Sequence, residues 1–216
     1  MEIFVSVTRF FQEGGPFMYL ITAVLALGAA IALERYIHLT ACRGRDRRLW
    51  RRLLPLLREG RLEEAMEMAE RSRTPIGSIL AQGLSQHGSE RGLQDMELAM
   101  EEGLMEVVPR LERRTPYLAM LANIATLLGL LGTILGLIDA FSAVSNADPA
   151  EKANLLSSSI SLAMNTTAFG LIAAIPLLLS HSVLQTKTIE IVDSLEAAAV
   201  KVLNIIRRRS VEGAAA

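Results

Sequence analysis

Three stretches of the chain carry no charged side chain: Phe17–Leu33 is 17 residues long, Tyr117–Ile138 is 22 and Ala153–Thr186 is 34. A helix needs about 20 apolar residues to cross the hydrocarbon of a bilayer, or about 17 when its flanking side chains reach back to the interface. Each stretch therefore predicts a membrane-spanning helix. The third is too long for one crossing and predicts a helix over 156–184 that continues into water. Pro176 removes one backbone hydrogen bond inside it, which a membrane helix accommodates when neighbouring groups cover the freed carbonyl.

Outside these stretches the apolar positions recur at helical spacing. Leu49, Leu53, Leu56 and Leu57 form one face, and Leu62, Ala65, Met66 and Ala69 another after the turn Glu59-Gly60. A short helix is expected after Thr74-Pro75. A longer one, capped by Ser89, carries Leu93, Met96, Met100, Leu104, Val107 and Leu111. It is predicted to run through Arg113-Arg114 into the second span as one rod, despite Pro109 and Pro116. The tail has a heptad-like seam of Val192, Leu195, Ala199, Val202 and Ile206, which needs a partner helix. The expected fold is an all-α integral membrane protein, with three transmembrane helices and long cytoplasmic helical extensions.

Composition agrees: 51% of the residues are apolar and only 5% aromatic, with a mean hydropathy of +0.34. That balance suits lipid-facing Leu, Ile and Ala better than a soluble core. Orientation follows from the basic residues. Arg35, Arg43, Arg45, Arg47, Arg48, Arg51, Arg52 and Arg58 follow the first span, opposed by Glu34 and Asp46. By the positive-inside rule that side is cytoplasmic. Lys187, Lys201 and Arg207–Arg209 put the tail there too. The expected segments are an external amphipathic N-terminus (1–16), a first span (17–38), a cytoplasmic helical domain (39–115), a second span (116–141), an external loop (142–155), a third span (156–184) and a cytoplasmic C-terminal helix (185–216). Glu2, Arg9 and Glu13 do not make a signal-peptide n-region and no A-x-A site follows, so the first span reads as a retained anchor.

Charge and cysteine content exclude several chemistries. The single cysteine, Cys42, and the scattered His38, His87 and His181 offer no metal-ligand spacing. Neither a nucleophile–base set nor a phosphate loop is visible, so no enzyme and no cofactor is expected. Arg43, Arg45, Arg47, Arg48, Arg51 and Arg52 read as a topology signal in contact with lipid headgroups. Nucleic acid is not an expected partner, because Trp50 alone makes no stacking platform. Residues 59–114 hold 12 acids against 7 arginines. They read as a solvated helical surface or as one that pairs with the arginine collar of a neighbouring subunit.

The spans carry more specific chemistry. Gly129, Gly132 and Gly136 mark a close helix–helix interface. On a helical wheel Asn123, Thr126 and Thr133 lie within about 80°. Thr167 shares a face with Ala163, Gly170, Ala174 and His181, while Thr166 and Asn165 turn progressively away. Hydroxyls in such helices often only bond their own i−4 carbonyls. No Asp, Glu, Lys or Arg lies near the middle of any span. Ion relays in membranes usually use an ionisable group, so conduction here requires a carboxylate from another subunit against a hydroxyl-lined wall.

Leu127-Leu128-Gly129-Leu130-Leu131-Gly132-Thr133-Ile134-Leu135-Gly136, with Ala140-Phe141 after it, resembles the second-span signature of the MotA/TolQ/ExbB proton-channel family. Thr166-Thr167-Ala168-Phe169-Gly170 through Ala174-Ile175-Pro176 resembles its third-span signature. Gly14-Gly15-Pro16-Phe17-Met18 and Leu33-Glu34-Arg35 also fit, and the likeness runs along essentially the whole chain. Three spans, with the cytoplasmic domain after the first, is the ExbB/TolQ layout.

The resemblance implies a homopentamer in the bacterial inner membrane, with the N-terminus (1–16) and the loop 142–155 periplasmic, around an ExbD/TolR-like single-span partner that carries a membrane Asp. It implies conversion of an ion gradient into work on TonB-like or Pal-type envelope proteins. It also implies that Thr133 and Thr167 line the ion pathway, to which the polar strips on the two wheels add Thr166, Asn165 and Thr126. Gly129, Gly132, Gly136, Gly170 and Pro176 would serve helix packing. The transported ion is expected to be H+, with Na+ as the alternative. Two positions depart from the family pattern: Leu162 replaces a usual Glu, and Thr126 a usual Pro. A non-conducting membrane scaffold is the alternative reading.

Overall fold

In the computed structural model, residues 15–89, 91–145 and 148–214 are described, and among them there are helices and turns but no strand. Among the described residues six helices follow one another: α1 (Phe17–Glu59), α2 (Leu62–Ser72), α3 (Pro75–Ser85), α4 (Leu93–Glu112), α5 (Pro116–Ser145) and α6 (Lys152–Ala214). Three helical stretches among these residues are long and apolar enough to cross a membrane: α1, α5 with the segment leading into it, and α6. The protein is an all-α, multi-pass membrane protein. The 63 residues of α6 extend roughly 95 Å at 1.5 Å per residue, about three times the hydrocarbon thickness. Apart from Gly15 and Pro16, the N-terminal segment 1–16 lies outside the described residues.

The chain divides into two compact units. The first takes in the chain up to Glu34 with Arg114–Val183. Here α5 and α6 meet backbone to backbone. A Cβ placed on Gly170 would lie 2.8 Å from the Ala125 carbonyl oxygen and 3.0 Å from the Gly129 Cα, and one on Gly129 would lie 3.2 Å from the Gly170 Cα. Gly132 receives the Thr166 methyl, Gly136 faces Ala163, and Gly28 of α1 receives the Leu177 side chain. Without side chains between them, the helices come close enough for dispersion contacts along their backbones. Leu127, Ile172 and Leu179 point outward and are more than half exposed, as side chains bound for lipid or another helix are.

The second unit takes in Arg35–Arg113 with the chain from Leu184 onward. Its buried positions on α1 are Arg35, Leu39, Cys42, Asp46, Leu49, Leu53 and Leu57, alternating four and three apart as far as Leu53 and four apart at the end. On α6 they are Leu184, Thr188, Ile191, Leu195, Ala198, Val202 and Ile206. These are heptad stripes. The two helices run parallel here, since Lys187 Nζ donates to Thr40 Oγ1 at 3.2 Å and Arg43 pairs with Glu190 at 2.7 Å, both at the same sequence offset. The predicted tail seam is thus shifted at two places: Ile191 and Ala198 are buried, whereas Val192 and Ala199 are half-buried. α3 packs against both α2 and α4 and buries Ile76, Ile79, Leu80 and Leu84. Thr74 caps α3, its hydroxyl accepting from the Gly77 amide at 3.2 Å.

The expected rod from residue 89 into the second span is not continuous. α4 begins at Leu93 behind Gly92 at φ 44°, so Ser89 sits in the preceding turn. α4 ends at Glu112, and the chain turns through Arg113 (ψ 135°) and Arg114 (φ 67°) before Pro116 opens α5. The cause is local: the proline ring disfavours helical backbone at Thr115, and Pro fits the first turn of a new helix because it has no amide to leave unpaired. Pro55, Pro109 and Pro176, in contrast, lie inside their helices.

Candidate functional site

The two span threonines singled out by the family signature meet. Thr133 Oγ1 and Thr167 Oγ1 are 2.5 Å apart. Both also reach the Gly129 carbonyl oxygen, Thr133 at 3.1 Å and Thr167 at 2.9 Å. The glycine packing positions them: Gly129 against Gly170 brings α5 and α6 close enough for a side chain on one helix to bond the backbone of the other. Three contacts share two hydroxyl protons. If both protons went to Gly129, two lone-pair-bearing oxygens would face each other at 2.5 Å, so one hydroxyl donates to the other and the second to the carbonyl. Either threonine can take either part. The oxygens retain lone pairs with which to accept a hydrogen bond from a donor outside the pair.

The other predicted pathway residues do not join this cluster. Thr166 is buried, its methyl against Gly132 and its hydroxyl donating to the Leu162 carbonyl at 3.1 Å. Thr126 is exposed and bonds back to the Ala122 carbonyl at 3.1 Å. Asn123 is exposed and Asn165 half-buried. The polar strip drawn on the α5 wheel is therefore split, with only Thr133 turned to the α5–α6 contact. Gly129, Gly132, Gly136 and Gly170 all lie at that contact. Pro176 lies on an exposed face of α6, where Ser180 Oγ donates to its carbonyl at 2.7 Å; Ala173, Ala174 and Leu177 beside it are buried.

The arginines of α1 separate into two groups around the buried stripe of Leu49 and Leu53. Arg45, Arg48 and Arg52 line a cleft toward α2. Arg43 and Arg47 line another toward α6, while Arg51 Nε donates to the Arg47 carbonyl at 3.4 Å.

Two buried charges of α1 serve helix ends, which the sequence pattern did not suggest. The Arg35 guanidinium donates to the Leu111 carbonyl in the last turn of α4, and Asp46 Oδ1 accepts from the Ile76 amide in the first turn of α3 at 3.3 Å. A cation at a C-terminus and an anion at an N-terminus both oppose the helix dipole. Burial pushes the Asp46 carboxyl up, opposed by the Ile76 amide, Thr74 and Cys42. Cys42 Sγ donates to Asp46 Oδ2 at 3.7 Å, and burial, followed by the Asp46 charge, pushes the thiol up to about 12. Lys187 also sits 3.5 Å over the Tyr36 ring centroid. The signal for Arg35 and Asp46 was their place in the four-three stripe of α1, where a charge implies a dedicated partner.

Comparison with known proteins matches residues 71–197 to the model of the MotA/TolQ/ExbB proton channel family. A protein of Methanothermobacter thermautotrophicus named as an ExbB homolog of biopolymer transport is 28% identical over 198 residues, 91% of this chain and 69% of that protein. One of Synechocystis named ExbB-like is 29% identical over 161 residues, 74% of this chain and 76% of its own length. The Tol-Pal system protein TolQ of Haemophilus influenzae is 35% identical over 84 residues, 39% of this chain and 36% of that protein. The glycine-packed α5–α6 pair and its threonines fall within the matched region, and the chain belongs to the MotA/TolQ/ExbB proton channel family.

Proposed function

We propose that this protein is the channel-forming subunit of an ion-driven motor, working as a homopentamer in the bacterial inner membrane with its N-terminus periplasmic and its C-terminus cytoplasmic. The observation that carries the reading is the Thr133–Thr167–Gly129 cluster in spans otherwise free of central charge. An ExbD/TolR-like single-span partner supplies the carboxylate. The ExbB and TolQ names of the relatives support this choice of partner. The partner's Asp, alternately protonated and ionised, meets the hydroxyl pair. Its two charge states differ in how well the threonines bond them, and that difference biases the position of the partner within the ring. The ion is H+, with Na+ as the alternative, and the work is delivered to TonB-like or Pal-type envelope proteins. No covalent chemistry is involved.

A second reading, a non-conducting scaffold, draws on the same cluster: two hydroxyls bonded to each other and to Gly129 also pin α5 to α6. One experiment separates the two. Thr167→Val keeps the side-chain shape and removes the hydroxyl. Reconstituted with its partner in liposomes, the variant is expected to retain assembly and lose at least 90% of partner-dependent ion uptake. Uptake at the wild-type level would overturn the motor assignment.

A further inference from the structure

A cavity of about 290 Å³ lies between α1 and α6 in the unit built on Arg35–Arg113. Arg43, Arg47 and Trp50 line it from successive turns of α1, and Lys201 lines it from α6. Ile76 and Ala198 are apolar parts of its wall. Arg43 is paired with Glu190. Arg47 and Lys201 make no ion pair among the described residues. The carboxylate at the cavity, Asp46, is already turned to the Ile76 amide and the Cys42 thiol. Two exposed cations without an ion pair, on different helices, therefore border one partly open cleft beside a half-buried indole.

We propose that this cavity binds a phosphate ester: the phosphate on Arg47 and Lys201, with the organic portion against Trp50 and Ala198. An arginine and a lysine on facing helices can hold phosphate oxygens from two sides through charge-assisted hydrogen bonds. The apolar wall and the indole accept a small carbon skeleton. Bound phosphate bridges α1 and α6, offsetting the repulsion between the two cations. The inference rests on the geometry of this unit and does not depend on ion conduction.

Two sources share this chemistry. Arg43 and Arg47 lie five and nine residues beyond position 38, the end of the first span as read from the sequence, or roughly 8 and 14 Å along α1. The headgroup layer adds about 5–7 Å to each side of the hydrocarbon, so Arg43 lies at its edge and Arg47 beyond it in water: a soluble phosphate ester is the expected source, and a phospholipid headgroup is the other outcome of the test.

Trp50 is the chain's only tryptophan and reports on the cavity directly. The full chain is placed in phosphatidylcholine nanodiscs and its emission followed in two arms, one with increasing phosphatidylglycerol in the disc and one with glycerol phosphate in solution. A saturable emission change is expected in one arm, which identifies the source. Arg47→Gln with Lys201→Gln is expected to weaken the half-saturation point at least tenfold with unchanged helicity. The single Lys201→Gln, at an exposed position, is expected to move it in the same direction. Arg45→Gln with Arg52→Gln, which removes the same charge from the opposite cleft, is expected to stay within twofold of the wild type. No emission change in either arm would overturn the proposal. So would equal weakening by both double variants, because that is general attraction to a basic helix.

Discussion

Thr133 and Thr167 differ from the other span hydroxyls in what they bond. Thr126 and Thr166 satisfy themselves on their own helices, which is the ordinary fate of a threonine in an apolar helix. Thr167 reaches across to Gly129, and this follows from the helix contact rather than from the residue type. The wheel placed Thr133 and Thr167 on small-residue faces but could not tell which neighbouring threonine turns inward, because Thr166 and Thr167 differ by only 100°. Asp46 and Cys42 were less legible. Cys42 bonds Asp46 one turn along α1, but the Asp46 partner on α3, the Ile76 amide, lies 30 residues away, and no local pattern links those two. A thiol raised from 9.0 to about 12 holds about a thousandfold less thiolate at pH 8, and the thiolate is the reactive form. Cys42 in the folded protein is therefore expected to alkylate with iodoacetamide at least a hundredfold more slowly than after unfolding. The raised value also sets a sign: the unfolded thiol ionises near pH 9 and the folded one near 12, so stability falls as pH rises through that interval. Equal alkylation rates in the two states would contradict the buried pair.

At the scale of helices, the spans were legible because a bilayer imposes a minimum apolar length that few other environments demand. The interruption at 113–115 was not, since Pro55 and Pro109 stay within helices and only the left-handed Arg114 before Thr115-Pro116 marks the difference. The tail seam was ambiguous because Ile191-Val192 and Ala198-Ala199 offer apolar residues in both registers, and packing against α1 selects the first. The glycines give a paired test. Gly44, inside α1, has nothing within 4 Å of a added Cβ, so Gly44→Ala is expected to be neutral or to stabilise by up to about 1 kcal/mol. Gly170→Ala would meet backbone atoms at 2.8 and 3.0 Å, which no rotamer change relieves. It is expected to separate α5 from α6 and lower the thermal midpoint in detergent by several degrees. Equal midpoints for the two variants would show that the close contact does not matter.

For the whole molecule, a net charge of −1 averages an arginine-rich α1, an acidic α2–α4 region and spans without central charge. That distribution makes orientation testable. In a Cys42→Ser background, Ala150→Cys in the turn before α6 is expected to react with a membrane-impermeant maleimide in intact cells whose outer membrane has been made permeable. Ser85→Cys at the end of α3 is expected to react only after the inner membrane is opened. The reverse pattern would invert the proposed topology. Family membership was readable from two short membrane motifs because they encode a helix contact, and that contact tolerates few residue types. The cavity beside Trp50 was not readable, since it joins positions about 150 residues apart.

The hydroxyl pair has one more consequence. Two protons distributed over three oxygen contacts leave a single heavy-atom frame with two equivalent donor directions. Such a pair is a small switchable dipole. It can reverse by rotating bonds alone, with no shift of helix or carbon skeleton, and in either sense it keeps its lone pairs as the outward face. Such a pair can answer a change of charge beside it without any movement of the helices, and it holds no net charge of its own.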